Sequence, residues 1–196
     1  MKLVKSAVAL CVSLMLVQGV AGAAPIVDQN NPTVGGGFCA ISSDFRCGQS
    51  FYQTAANISG AGVFIHPTWY ASAADLTIGI FDASTGGNLL AQAKATGVDS
   101  DSGWVDVFWN PVALDASVQY YLRLASTNPD LVVAYSADAY GKGTGVHGGT
   151  VYSSYDLTFR TYADDGASAV PEPASLALLG MGLLGFAASR RNALKR

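Results

Sequence analysis

The chain has 196 residues and a formal net charge of −3, but residues 24–170 hold 13 Asp, no Glu and five basic residues, a charge of about −8. Such an acidic body excludes nucleic acid and anionic membrane surfaces as partners, because both require clustered Lys and Arg. With 22 Gly, nine Tyr and a single Glu, helix-forming residues are scarce, which excludes a mainly helical enzyme.

The first 23 residues have the layout of a secretory signal peptide. Lys2 and Lys5 precede an apolar run at 7–17, and small residues follow up to Ala23. The run is about half the length that spans a membrane, so an N-terminal anchor is the less favoured alternative. We predict a signal peptide at 1–23, removed after export by the general secretory route, since no twin arginine is present.

Two cysteines remain after removal of that segment. Cys39 and Cys47 form an even pair in a chain directed to an oxidising compartment, so we expect a disulfide between them. Two free thiols are the alternative. A zinc site is disfavoured because neither histidine of the chain, His66 or His147, lies near them in sequence.

The body has short segments of alternating apolar residues separated by turns, with no helical period. This pattern predicts an all-β fold, a two-sheet antiparallel sandwich of jelly-roll type over 24–165, followed by a linker at 166–170. The glycine-rich segment 141–149 is predicted to be a mobile surface loop. The predicted strands are 58–65, 76–81, 88–93, 104–109, 119–124, 131–135 and 155–162.

Aromatic side chains are the best functional lead, because flat rings stack on the apolar faces of sugar rings. On the strand 104–109, Val105, Val107 and Trp109 would fill one face. Trp104, Asp106 and Phe108 would then lie on the other face. Most aromatic residues of a sandwich lie in its core, which is the alternative for every candidate. The candidate ligand-binding residues are Trp104, Trp69, Tyr140 and Tyr152.

Catalysis and metal binding have weaker signals. The body has no Glu for a glycosidase pair, and only two histidines can serve as a base, so we expect no enzyme. The loop containing Asp99 and Asp101 offers hard oxygen ligands for Ca²⁺, with a solvated turn as the alternative.

Residues 76–124 contain a series of short motifs in a fixed order. These are Gly86–Gly87, Leu89–Leu90–Ala91, Gly103–Trp104, Pro111–Val112 and Tyr120–Tyr121–Leu122. The series resembles secreted accessory β-sandwich modules. The resemblance implies a jelly-roll body, and it suggests carbohydrate binding only by analogy of fold.

The C-terminal residues 171–196 contain three parts in a fixed order. Pro171, Glu172 and Pro173 precede a Leu- and Gly-rich apolar stretch at 176–188, which is followed by Arg190 and Arg191. The apolar stretch predicts a short transmembrane helix with its basic end retained in the cytoplasm. This arrangement resembles the PEP-CTERM sorting tail.

The resemblance implies processing by an exosortase, a membrane-bound transpeptidase-like protein that recognises the Pro-Glu-Pro region and removes the tail. It also implies a Gram-negative bacterium, transient anchoring in the inner membrane, and delivery to the cell surface or the extracellular matrix. We therefore expect an exported, non-catalytic protein that binds or organises exopolysaccharide or other glycans. The alternatives are a structural or adhesive biofilm matrix protein that binds protein partners and, more distantly, a Ca²⁺-dependent hydrolase.

Overall fold

The computed structural model describes residues 24–67 and 71–164, and all regular structure within them is β. Residues Ala24–Asp165 form one compact unit. Within the described residues no helix is long and apolar enough to cross a membrane. The strands are β1 (Ile26–Asn31), β2 (Gly37–Ala40), β3 (Cys47–Tyr52), β4 (Asn57–Phe64), β5 (Ala74–Phe81), β6 (Leu89–Val98), β7 (Trp104–Ala113), β8 (Gln119–Ser126), β9 (Val132–Ala137), β10 (Gly145–His147), β11 (Thr150–Tyr152), β12 (Tyr155–Leu157) and β13 (Phe159–Ala163).

The strands form antiparallel sheets, which confirms the predicted all-β sandwich. A four-stranded sheet has the order β1-β13-β4-β7, and a six-stranded sheet has the order β11-β10-β3-β8-β5-β6. A three-stranded sheet, β12-β9-β2, is linked to β4 by an isolated bridge between Ile65 and Val133. The rings of Phe51 and Phe159, 6.4 Å apart, join the six-stranded and four-stranded sheets across the core.

The predicted single strand at 155–162 is two strands, because Thr158 changes the hydrogen-bonding partner of the chain. The Thr158 N–H donates to the Ala134 carbonyl at 2.9 Å, and its carbonyl accepts from the Phe64 N–H at 3.1 Å. Strand β12 therefore pairs with β9, and β13 pairs with β4. This change of partner separates the three-stranded sheet from the four-stranded one.

The prediction of a surface loop at 141–149 is wrong for residues 145–147. These residues form β10, which pairs with Cys47–Gln49 of β3, and Val146 is buried. Gly143 lies so close to the Ser50 carbonyl that any side chain at 143 would overlap it. The glycines therefore let this segment pack onto the six-stranded sheet.

The strands predicted at 76–81 and 88–93 are present as β5 and β6, and they form a hairpin. Strands β5 and β6 pair antiparallel from Ala74 to Phe81. The Asp82 side chain closes the turn, since its Oδ1 accepts from the Asn88 N–H at 2.7 Å. Gly86 adopts φ = 64°, which is the left-handed conformation that glycine tolerates best.

Candidate functional site

Strand β7 divides its side chains between the core and the outer surface of the four-stranded sheet. Val105 and Val107 are buried, whereas Trp104 and Asp106 are half-buried and Phe108 is 51% exposed. The alternation predicted from the sequence is confirmed here. On the outer surface lies a set of six residues that we call the aromatic face: Phe64, Trp104, Asp106, Phe108, Arg160 and Tyr162.

The pairing of three strands brings these residues together. In β4, Phe64 lies opposite Trp104, Gly62 opposite Asp106, and Gly60 opposite Phe108. On the other side of β4, β13 places Arg160 opposite Gly62 and Tyr162 opposite Gly60. Side chains from β7 and β13 therefore meet above the glycines of β4.

The two glycines are required by this close approach. A methyl group at Gly62 would overlap Oδ1 of Asp106, and one at Gly60 would lie 2.6 Å from Cδ1 of Phe108. Glycine in the interior of a strand often marks such a close contact.

An ion pair occupies the centre of the aromatic face. The Arg160 guanidinium donates to both oxygens of Asp106, with Nε 2.7 Å from Oδ1. The same Oδ1 accepts from the Tyr162 hydroxyl at 2.9 Å. The Asp106 hydrogen bonds raise the pKa of Arg160, and burial, with Asp106, raises the pKa of Tyr162 to about 12. Both groups therefore keep their protons at neutral pH.

Aromatic rings surround the ion pair. The Arg160 guanidinium lies over the Trp104 ring, 4.2 Å from its centroid, and Phe64 meets Trp104 edge to face at 5.8 Å. The rings of Phe108 and Tyr162 are 5.0 Å apart. These contacts fix the rings in place, so that the face offers apolar surfaces beside positioned hydrogen-bonding groups.

Three tyrosines stack elsewhere in the body. Tyr155 lies 4.4 Å from Tyr135 and 5.3 Å from Tyr152, measured between ring centroids. Burial raises the pKa of Tyr155 to about 12, with smaller contributions from Tyr152 and Tyr135. Tyr152 lies at the end of the stack and is 39% exposed. It is therefore accessible to a ligand, as its predicted role in ligand binding requires.

Tyr140 does not fit its predicted role. It is 7% exposed, its hydroxyl donates to Oε1 of Gln29 at 2.7 Å, and its ring meets Phe159 edge to face at 5.0 Å. Tyr140 is therefore a buried core residue, which was the alternative for every aromatic candidate. Trp69 lies outside the described residues.

Asp99 and Asp101 lie in one tight turn. Oδ1 of Asp99 accepts from the Asp101 N–H at 3.1 Å and from the Ser102 hydroxyl at 2.9 Å. Within residues 24–67 and 71–164, no group of three His, Cys, Asp or Glu side chains is placed to hold a metal ion. Calcium binding therefore stays an untested prediction.

The predicted disulfide is present. Cys39 and Cys47 are bonded, with their Cα atoms 6.2 Å apart, and the bond closes the loop between β2 and β3. The other sequence predictions at the chain ends lie outside the described residues. These are the signal peptide at 1–23, the linker at 166–170, the short transmembrane helix at 176–188, and the sorting residues Pro171, Glu172, Pro173, Arg190 and Arg191.

The sequence analysis did not identify three members of the aromatic face, Phe64, Arg160 and Tyr162. A signal existed for two of them. In the predicted strand 155–162, Tyr155, Leu157 and Phe159 alternate along the chain, so the period of two places Arg160 and Tyr162 on the opposite face. Nothing local to Phe64 indicated that it would meet Trp104.

Comparisons with known proteins identify the end of the chain more specifically than its body. Residues 169–191 match the PEP-CTERM protein-sorting motif. No curated protein matches the chain.

Two solved structures resemble part of the body. One contains the cysteine protease and lectin-like domains of Cwp84, a surface layer associated protein of Clostridium difficile, with 10% identity, a TM-score of 0.42, and coverage of 60% of this chain and 32% of that one. The other is a clostridial cysteine protease Cwp84 after propeptide cleavage, with 10% identity, a TM-score of 0.47, and coverage of 70% and 39%. This chain thus spans about a third of the length of these structures.

The matched motif covers the Pro-Glu-Pro residues, the apolar stretch and both arginines from which the sequence analysis argued. It is the C-terminal signal of proteins that leave the cell and pass through an exosortase. The chain therefore carries a PEP-CTERM protein-sorting motif at 169–191, which indicates a secreted protein sorted to the cell surface through an exosortase, and its body is a β-sandwich.

Proposed function

We propose that this protein binds and organises exopolysaccharide at the cell surface through its aromatic face, without catalysing a reaction. The observation that supports the proposal is the grouping of Trp104 and Phe108 around the Asp106–Arg160 ion pair. Rings of this kind stack on the C–H faces of sugars. The carboxylate and the guanidinium form hydrogen bonds with the sugar hydroxyl groups.

The length of the face favours a polymer over a single sugar. Trp104 and Phe108 lie four residues apart on one strand, or about 13 Å at the usual rise per residue. A ligand that contacts both rings must be longer than one pyranose. A polysaccharide chain lying along β7 meets this requirement.

The proposal includes a route to the surface. The signal peptide at 1–23 directs the chain through the general secretory route of a Gram-negative bacterium. The tail at 171–196 then holds it transiently in the inner membrane until an exosortase removes the tail. This route places the acidic body where exopolysaccharide is produced.

The proposal predicts that Trp104→Ala lowers affinity for the producer's own exopolysaccharide about tenfold, because one stacking surface is lost. Phe108→Ala should have a similar effect. The measurement is a binding titration of the full chain, purified in a detergent without a sugar headgroup. Tyr52→Ala is the matched control, since Tyr52 is an exposed aromatic on the six-stranded sheet and its loss should leave the affinity unchanged.

Folding of each variant is checked by circular dichroism. Equal affinity of the parent chain and Trp104→Ala would contradict the proposed site. Absence of binding by the folded parent chain would contradict the proposed function.

One feature favours the alternative of an adhesive protein that binds protein partners. In the part of the chain that the structure describes, β1 pairs only with β13, and its Ile26 and Val27 are about half exposed. Such an edge strand can pair with another chain. A parent chain that binds no polysaccharide but sediments as an oligomer would favour this alternative.

A further inference from the structure

The outer surface of the six-stranded sheet carries a depression of about 490 Å³. This volume lies within the usual range of small-molecule sites, about 300–1,000 Å³. The depression belongs to a different sheet from the aromatic face, and no residue is shared between them. Its lining includes Ser43, Phe45, Asp75, Thr77, Lys94 and Thr127.

The disulfide-closed loop 40–46 forms one wall of the depression. Phe45 in this loop has φ = 57°, and among the non-glycine residues described it alone has a positive φ. Such a conformation is costly for a bulky side chain and is found where the surrounding structure enforces it, often at functional sites.

Two contacts, a neighbouring glycine and the disulfide hold Phe45 in this conformation. Its carbonyl accepts from Nε of Arg123 at 2.9 Å, and its ring meets Phe81 edge to face at 5.3 Å. Gly79 leaves room for the ring, since a methyl group there would lie 3.3 Å from Cε1 of Phe45 and 2.9 Å from Cε2 of Phe81. The Cys39–Cys47 bond holds both ends of the loop. The fold therefore holds Phe45 in place as the aromatic residue in the wall of the depression.

Apart from Phe45, Ala93 and Ala125, the residues that line the depression are polar. Nζ of Lys94 lies 2.7 Å from Oδ2 of Asp75, and both side chains reach solvent. Thr77 lies on the outer surface of β5, directly opposite Lys94. Ser43, Gln92, Ser126 and Thr127 also line it. The charges of Lys94 and Asp75 balance, so the site does not favour a net charge on its ligand.

We propose that this depression is a second binding site, which takes one neutral sugar residue, such as the end of a glycan chain. Phe45 stacks on the C–H face of the sugar, and adjacent sugar hydroxyls donate to Asp75 and accept from Lys94. With the aromatic face, the body then holds two glycan sites on different sheets. A chain with two such sites cross-links polysaccharide strands and does not merely coat them.

The experiment is a saturation-transfer NMR titration of the full chain with methyl glycosides of neutral hexoses, in a detergent without a sugar headgroup. Thr77→Val keeps the side-chain shape and removes a hydroxyl, and Lys94→Met removes the charge. Each should weaken binding about tenfold. Thr150→Val, on the exposed strand β11, is the matched control and should leave binding unchanged.

Two further variants test the wall and separate the two sites. Replacing both cysteines by alanine frees the loop that carries Phe45, and this should lower affinity for the methyl glycosides while circular dichroism still reports strands. Trp104→Ala should leave that affinity unchanged, even where it lowers affinity for the polymer.

The proposal is overturned if the parent chain binds none of the methyl glycosides, or if Thr77→Val and Lys94→Met bind as the parent does. Loss of methyl glycoside binding in Trp104→Ala would assign the sugar to the aromatic face and would also overturn it. Failure of polymer binding with retained methyl glycoside binding would contradict the proposed function alone. The two proposals therefore fail separately.

Discussion

Gly62 sets how closely Asp106 approaches the four-stranded sheet. The carboxylate lies directly above Gly62 and there accepts hydrogen bonds from Arg160 and Tyr162. A side chain at position 62 would lift the carboxylate away from both donors. The geometry of the aromatic face therefore requires that the residue at position 62 has no side chain.

At the residue scale we predict that Gly62→Ala destabilises the full chain by about 1–3 kcal/mol, the cost of a displaced, partly buried hydrogen-bonding group. It should also lower polysaccharide affinity, because Asp106 moves. Urea unfolding gives the stability. Gly36→Ala is the control, since a methyl group at Gly36 meets nothing within 4 Å. Equal stability of Gly62→Ala and Gly36→Ala would contradict the prediction. It would mean that the Asp106 carboxylate moves aside without loss of stability.

Residues of the aromatic face differ in how far the sequence predicted them. The period of two in β7 predicts that Trp104 and Asp106 lie on the outer surface, because this prediction depends only on local alternation. Gly62 carries no such signal, because its role arises from the approach of another strand. The same reason explains the error at Tyr140, which alternation could not assign to the core.

At the element scale, a buried polar network joins β12 to β3. The Asp156 carboxylate is fully buried and accepts from Nε2 of Gln49 at 2.7 Å and from the Tyr140 N–H at 2.8 Å. Oε1 of Gln49 in turn accepts from the Leu157 N–H at 2.8 Å. The three-stranded and six-stranded sheets are therefore connected through side chains, where no strand pairing connects them.

We predict that Asp156→Ala lowers the free energy of unfolding by about 3 kcal/mol, because it leaves buried donors without an acceptor. Asp138→Ala is the matched control, since Asp138 is exposed, and it should change stability by no more than about 0.5 kcal/mol. Urea unfolding of both variants provides the comparison. An equal effect of the two substitutions would show that the network adds nothing.

This network also explains why the sequence analysis did not predict strand β3. Strands β4 to β9 have mostly apolar inner faces, and the predicted segments located each of them. Strand β3 buries Gly48, Gln49 and Ser50 in succession, so it shows no alternation of apolar residues. Its neighbour β10 is a three-residue strand among glycines. Such strands are specified by hydrogen bonds to distant residues, which a local pattern does not contain.

At the scale of the whole molecule, three phenols link the stability of the body to alkaline pH. Burial raises the pKa of Tyr155 and Tyr162 from 10.0 to about 12, and it raises the pKa of Tyr140 as well. These residues lie in the stack at β12, in the aromatic face, and in the core beside Phe159. Their ionisation therefore affects three separate parts of the sandwich.

The sign of the effect follows from the direction of the shifts. A phenol with a raised pKa in the folded state binds its proton more tightly there than in the unfolded chain, so its contribution is complete below pH 10. That contribution is lost as the pH rises from about 10 towards 12. We therefore predict a stability plateau that ends near pH 10, with a steep fall above it. Urea unfolding of the full chain at a series of alkaline pH values measures this fall.

The variant Tyr162→Phe removes one of the three phenols and keeps its ring against Phe108. It should reduce the steepness of the fall, although its loss of the hydrogen bond to Asp106 lowers stability at neutral pH. Tyr52→Phe, at an exposed ring, should leave the profile unchanged. The absorbance of phenolate in the folded chain gives an independent check. A single midpoint near pH 10 for all nine tyrosines would contradict the prediction.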